Sequence, residues 1–301
     1  MTQSQWLAES FEEQRPHLWA VAYRMLGSPA EADDAVQDAW LRASGSSADS
    51  VANVRGWLTT IVARVCLNLL RTRRVHGEDA LEGRLPDPVI SLEGSQPEEE
   101  ALLADSVGLA LLVVLDRLDP AERLAFVLHD VFKLPFAEIA PMVERTPAAA
   151  RQLASRARRR VKGASVASPD TDVRRQREVV NAFFAAARTG EFDRLLAVLD
   201  PDVVLRADFG KKRAGIPAVV HGPDAVAALA LTGARLPGAE LLPVLINGAA
   251  GVLVTVGSRP YSLMGFIVRE GRVVEIDAIA DPKRVAQLAA GVLRRARSEV
   301  T

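Results

Sequence analysis

The stretch Glu31-Ala32-Asp33-Asp34-Ala35-Val36-Gln37-Asp38-Ala39-Trp40-Leu41-Arg42 decides how the N-terminal part of the chain folds. Ala32, Val36, Ala39 and Trp40 recur at i, i+4, i+7 and i+8, one apolar stripe along an α-helix. Ser28 stands ahead of it as N-cap, with Pro29 at the first helical position. Asp33, Asp34, Gln37 and Asp38 fall off the stripe, on a face open to a partner. Downstream, the small polar loop Ala43–Asn53 carries no apolar period. Beyond it, Val54-Arg55-Gly56-Trp57-Leu58 opens a second helix that ends in Leu67-Asn68-Leu69-Leu70-Arg71-Thr72-Arg73-Arg74. Aromatic, amide and guanidinium groups are interleaved there, and melted DNA offers phosphates and unstacked bases to such a surface.

Charge is distributed to match. The net charge of the 301 residues is −1, with 49% hydrophobic and 25% charged residues, values of an ordinary soluble globular protein. Yet Val51–Gly77 and Arg145–Pro169 contain no acid and many arginines, while acids collect at Glu31–Asp38 and Glu78–Asp105. Two basic surfaces separated by an acidic spacer suit a protein that touches a polyanion at two places. No apolar run reaches the roughly 18 residues needed to span a bilayer, and the N-terminus lacks a signal pattern. A cytoplasmic protein with no membrane contact is expected. Cys66, the one cysteine, sits in the apolar phase of its helix and is expected to be buried; neither a disulfide nor a metal site nor any other cofactor is expected.

Texture divides the chain into four segments: 1–77 helical, 78–104 an acidic linker rich in Pro and Gly, 105–165 helical again, and 171–290 a mixture of helices and strands. In the third, Asp119 caps a helix with Pro120 behind it, and Lys133–Val143 forms a second. Thr146 then caps a basic third that begins at Pro147. Ala148–Ala150 are small enough for close approach to another surface. This is a helix-turn-helix, whose last helix enters a major groove N-terminus first. Arg151, Gln152, Ser155 and Arg156 reach base edges or phosphates from it, and Arg pairs bidentately with guanine. Pro141 departs from the usual helix former in the preceding helix.

Arg24, Gly27, Ala32, Asp33, Asp34, Gln37, Asp38 and Trp40, followed by Gly-Trp-Leu at 56–58 and the terminal arginines, resemble region two of the sigma-70 family, in its extracytoplasmic-function group. The resemblance implies that Asp33, Asp34, Gln37 and Asp38 dock on the β′ clamp coiled coil of RNA polymerase. It implies equally that the Ala43–Asn53 loop and the following helix capture the −10 promoter element, with Arg55, Trp57, Asn68, Arg71, Arg73 and Arg74 as contacts. The third segment resembles region four, which reads the −35 element, here through Thr146, Arg151, Gln152, Ser155 and Arg156. The partners implied are core polymerase, through β′ clamp and β flap, and promoter DNA.

The fourth segment opens with a helix, Val173–Thr189, closed by Gly190. Strand-like runs follow at 203–207, 240–248, 251–257, 261–271 and 272–280, with a helix near Pro223–Leu231 between them. Gly-containing turns suggest an antiparallel meander under helices, an α+β fold. The segment resembles the cone-shaped SnoaL-like fold, which encloses a pocket for a small-molecule ligand. Asp208, His221, Tyr261 and Asp277 are its candidate polar groups. The three-part order resembles the SigJ-type subgroup with a SnoaL-like extension. Its three short motifs have counterparts in Arg84-Leu85-Pro86-Asp87-Pro88, Asp208-Phe209-Gly210-Lys211-Lys212 and Asp281-Pro282-Lys283-Arg284-Val285. A contact between Leu85, Pro86, Asp87, Pro88 and the face carrying Asp208, Gly210, Lys211 and Lys212 is expected to regulate the helical segments, with the acids of the linker opposite the lysines. A promoter-specific initiation factor with a built-in regulator, not an enzyme, is the reading. The alternatives are a helix-turn-helix regulator with an effector pocket, which leaves the acidic helix unexplained, and a cone-fold enzyme, which leaves half the chain idle.

Overall fold

Dense helical spacing makes α1 (Gln3–Leu26), which runs through Pro16, and the turn at Gly27-Ser28 leads into α2 (Pro29–Ser44). The computed structural model describes residues 3–46, 53–76, 84–93, 108–163, 170–210 and 219–298. Contacts group them into two units, 1–81 with 111–166, and 82–110 with 167–301.

In the first unit α3 (Val54–His76) completes a three-helix bundle with α1 and α2. Leu18, Tyr23, Val36, Leu58 and Leu67 fill its core, each large apolar side chain contributing about 2 kcal/mol by leaving water. On α2, Ala32, Val36 and Ala39 are buried as the stripe requires, and Ala35 and Ala43 join them. Trp40 packs on Phe11 with ring centroids 5.0 Å apart. Ser28 occupies the cap position in extended conformation, but its side chain makes no capping bond, contrary to expectation. Asn53 caps α3, accepting from Gly56 N–H at 2.9 Å. A Cβ at Gly56 would lie 2.7 Å from the Asn53 amide, so the glycine preserves the cap. Cys66 is fully buried, and burial pushes its thiol up to about 12.

The chain continues through α4 (Leu109–Asp116) into α5 (Pro120–Phe126), which passes into a wider π turn at Val127–Val131. Asp119 caps α5, accepting from Ala121 N–H at 3.0 Å. Next come α6 (Phe136–Ile139) and α7 (Pro147–Gly163). Expected from Lys133 to Val143, α6 has only four residues. Pro141 lacks the N–H that would bond to the carbonyl of Ala137, and turns replace the helix after Ala140. Phe132 packs back on the first bundle, edge-on to His17 at 5.1 Å and under the Arg24 guanidinium at 5.1 Å. Arg123 is buried at 2% exposure, donating to the Arg24 carbonyl at 3.2 Å and to Asp116 at 3.1 Å.

The second unit contains β1 (Ile90–Leu92), α8 (Val173–Thr189), α9 (Phe192–Val198), β2 (Leu199–Asp208), β3 (Val219–His221), α10 (Pro223–Gly233), β4 (Ala239–Ile246), β5 (Ala249–Val256), β6 (Arg259–Arg269), β7 (Arg272–Ile279) and α11 (Pro282–Ser298). Its strands form one sheet in the order β1-β4-β5-β6-β7-β2-β3. β4 to β7 make the expected meander; β2 then joins β7 in parallel, with Arg206 opposite Asp277. One face buries Leu205, Val252, Phe266 and Ile276 against Val180, Phe183 and Leu195 from α8 and α9. The segment read as linker supplies β1, paired with β4 from Ile90 opposite Ile246 to Leu92 opposite Val244.

Candidate nucleic-acid interface

The apolar stripe of α2 faces its own bundle, so Asp33, Asp34, Gln37 and Asp38 are all exposed. Asp33 accepts from Trp19 Nε1 at 2.8 Å, and partial burial raises its pKa despite that bond. Asp38 pairs with Arg42 one turn on, at 3.1 Å. Leu41, 62% exposed, stands on the same side and was not singled out in the sequence.

On α3 the expected groups do not share one environment. Arg55, Asn68, Arg71 and Arg74 are exposed and Trp57 is half-buried. Arg73 is tied to Glu31 of α2, and so joins helices. Arg74 is ion-paired with Asp119, and Arg71 lies 3.9 Å from Glu144. Arg64, exposed and one helical turn before Asn68, extends the Asn68–Arg71 row; i, i+4, i+7 spacing alone would have found it. Most of the Ala43–Asn53 loop lies outside the described residues.

α7 buries Ala150, Ala154 and Ala157 and turns Arg151, Gln152, Ser155 and Arg156 outward together. Of the three small residues that open it, only Ala150 is buried; Ala148 is exposed. Thr146 Oγ1 accepts from Ala149 N–H at 3.2 Å, the expected cap. Arg151 lies over the Phe136 ring at 5.6 Å. Glu122, 6% exposed in its side chain, faces Arg156 at 4.0 Å and also pairs with Arg160. These groups, with Arg74, Asp116 and Asp119, line a cleft of about 660 Å³.

In the second unit, Leu85 is buried and its N–H donates to Asp208 Oδ2 at 3.2 Å. Pro88 is buried as well, and Pro86 is half-buried. Arg284 bridges the same groups, reaching Asp87 through Nε at 2.9 Å, the Leu85 carbonyl at 2.6 Å, and Asp208. Gly210 N–H donates to the other Asp208 oxygen at 2.9 Å, and a Cβ at Gly210 would collide with Asp281. Lys211 and Lys212 lie outside the described residues; among those described, Arg284 pairs with Asp87. That residue stood in the third motif, but nothing in the sequence singled it out.

The four candidate pocket groups do not assemble. His221 is exposed on β3, and Tyr261 packs against the core. Asp208 belongs to the linker network. Asp277, 3% exposed, shares Arg206 with Glu275, the Arg206–Asp277 contact being 3.3 Å. Burial, then the charge of Glu275, raises its pKa well above the usual carboxylate value. Asp277 also lines a cavity of about 280 Å³ with Gln176, Ile246, Asn247 and Phe266. Among the described residues no helix is long and apolar enough to cross a membrane.

Residues 11–75 match the family model Sigma-70 region 2, and residues 108–161 match Sigma-70, region 4. The chain is 39% identical over 289 residues to the ECF RNA polymerase sigma factor SigJ of Mycobacterium tuberculosis strain H37Rv, covering 91% of each. It is 32% identical over 293 residues to the probable ECF RNA polymerase sigma factor SigI of strain CDC 1551, covering 96% of this chain and 98% of SigI. The crystal structure of M. tuberculosis SigJ superposes with TM-score 0.73 at 35% identity, over 92% of this chain and 97% of that one.

Proposed function

This chain belongs to the extracytoplasmic-function RNA polymerase sigma factors of the sigma-70 family, and on that premise we propose which of its residues meet which partner. Core polymerase docks on Asp33, Asp34, Gln37 and Asp38, through the β′ clamp, while the β flap meets the second helical segment. Arg55, Trp57, Asn68, Arg71 and Arg74 serve the −10 element, with Arg73 bracing them from its pair with Glu31. Thr146, Arg151, Gln152, Ser155 and Arg156 serve the −35 element.

The observation that carries this reading is that α2 and α7 each bury a row of small residues and leave one polar face to solvent, acidic on α2 and basic on α7. The signs suit a protein partner and a phosphate backbone respectively. Asp34→Arg reverses charge on the first face without touching its buried stripe. Association with core polymerase is expected to fall at least tenfold, about 1.4 kcal/mol, with helix content unchanged. Equal co-purification of variant and wild type would remove this docking face.

The SnoaL-like domain acts as a built-in regulator, and we assign it no catalytic step. The reading is supported by the seating of Leu85, Asp87 and Pro88 within that unit, through Asp208 and Arg284. The segment joining the two promoter-reading parts is thereby under the control of the third. A small molecule taken by the domain would lie in the cavity beside Asp277.

A further inference from the structure

Arg55 opens α3 with its side chain exposed, yet its guanidinium is not left to wander. Its Nη2 donates to Nδ1 of His17, from α1, at 3.1 Å. A guanidinium can only donate, so Nδ1 is the bare, accepting nitrogen and the imidazole proton sits on Nε2. Nε2 lies 3.2 Å from Thr59 Oγ1, and the Thr59 hydroxyl in turn donates to the Arg55 carbonyl at 2.7 Å. The three bonds close a ring in which every donor meets an acceptor. Thr59 is 1% exposed, which leaves its hydroxyl no water to turn to.

Two further features hold the imidazole in this role. Burial, helped by Arg55 and Arg24, pushes the His17 pKa down to about 4, so Nδ1 stays an acceptor at neutral pH. Phe132 meets the ring edge-on at an interplanar angle of 90°, restricting its rotation. A long arginine ordinarily gives up much rotamer freedom when it engages a phosphate, and a side chain ordered beforehand gives up less.

We propose that His17 is a positioning residue for promoter binding, its Nδ1 holding the Arg55 guanidinium in place to receive the DNA backbone. The proposal rests on the reading of Arg55 as a promoter contact. It is tested with polymerase holoenzyme on a labelled promoter fragment, by fluorescence anisotropy. His17→Phe keeps a ring against Phe132 but offers no acceptor. It is expected to weaken promoter binding about fivefold, the worth of one hydrogen bond, and to weaken it no further in an Arg55→Ala background. His17→Asn, whose amide oxygen falls near the position of Nδ1, restores most of the loss. Thr59→Val, which frees the far side of the imidazole while keeping shape, weakens binding in the same direction and is likewise silent without Arg55; it decides the matter if His17→Phe does not fold. Co-purification with core polymerase stays at the wild-type level throughout. If Arg55→Ala is defective but the His17 and Thr59 variants are neutral, or add to it, the positioning role is wrong and the promoter contact stands. If Arg55→Ala is itself without effect, the promoter contact falls and the positioning role falls with it.

Discussion

Asp277 and Glu275 project from β7 toward a single guanidinium, that of Arg206 on the parallel neighbour β2. Two carboxylates and one cation in a buried site favour retention of a proton, and it rests on Asp277, the more buried of the two. Its folded pKa is raised above the ordinary value near 3.8. The folded state therefore keeps a proton that the unfolded chain releases, and stability is lost as pH rises from about 4 through the folded pKa. Asp277→Asn retains a neutral donor and removes that loss. Thermal unfolding from pH 4 to pH 7 is expected to show a flatter stability profile, with the variant at least as stable as wild type at pH 7. A less stable variant at pH 7 would mean that Asp277 is ionised and that its pair with Arg206 is stabilising. Asp277 was visible in the sequence as a polar residue in a strand. Its partner was not, because the Arg206–Asp277 register follows from a parallel pairing that no local pattern specifies.

At the scale of elements, α7 shows how a helix is made for DNA. Thr146 and Pro147 start it, and Ala150, Ala154 and Ala157 let it lie close against the rest of its unit. Arg151 and Arg156 project from the opposite side. Arg151→Ala and Arg156→Ala are each expected to weaken holoenzyme binding to the promoter. A base contact costs about 1–3 kcal/mol and relaxes specificity at one −35 position, whereas a phosphate contact weakens all sequences alike and lowers the salt slope by about one. Binding to a panel of −35 variants at two salt concentrations separates the two. Unchanged binding in both variants would remove α7 as the recognition helix. Arg156 begins from a pairing with buried Glu122, so part of its attraction to DNA is spent in exchanging one anion for another. This helix was legible in the sequence from its cap and basic period. Its short predecessor was legible only in part, because the consequence of Pro141 depends on what can replace the lost backbone bond.

Over the whole molecule, the segment before β1 belongs physically to the C-terminal unit. Leu85 and Leu92 are buried there, Val89 N–H donates to Asn247 at 2.9 Å, and Arg284 holds Asp87. A protein ending at Ser168 loses all of these partners at once. The amides of Leu85 and Val89 are expected to lose their protection from hydrogen exchange, and transcription with core polymerase is expected to change at least severalfold. The direction of that change distinguishes a brake from a brace. Equal transcript yield and polymerase affinity for the truncated and full-length proteins would make the domain a passenger.

Apart from the shortened α6, and from α9 and α11, which it did not single out, the sequence specified the helices, most of their caps, the acidic face of α2, the basic face of α7 and the α+β character of the C-terminal part. These follow from spacing within a turn or two, where side-chain periodicity and backbone capping act on neighbours. The tertiary structure alone decided that a linker supplies a strand, that β2 runs parallel to β7, that Arg73 braces α2, and that Arg284 is the cation opposite Asp87. Leu85 and Asp208 meet across 123 positions, and Arg284 and Asp87 across 197. Opposite charges are common along the chain, and a charged pair is selected only once packing has brought two backbones together and excluded water from between them.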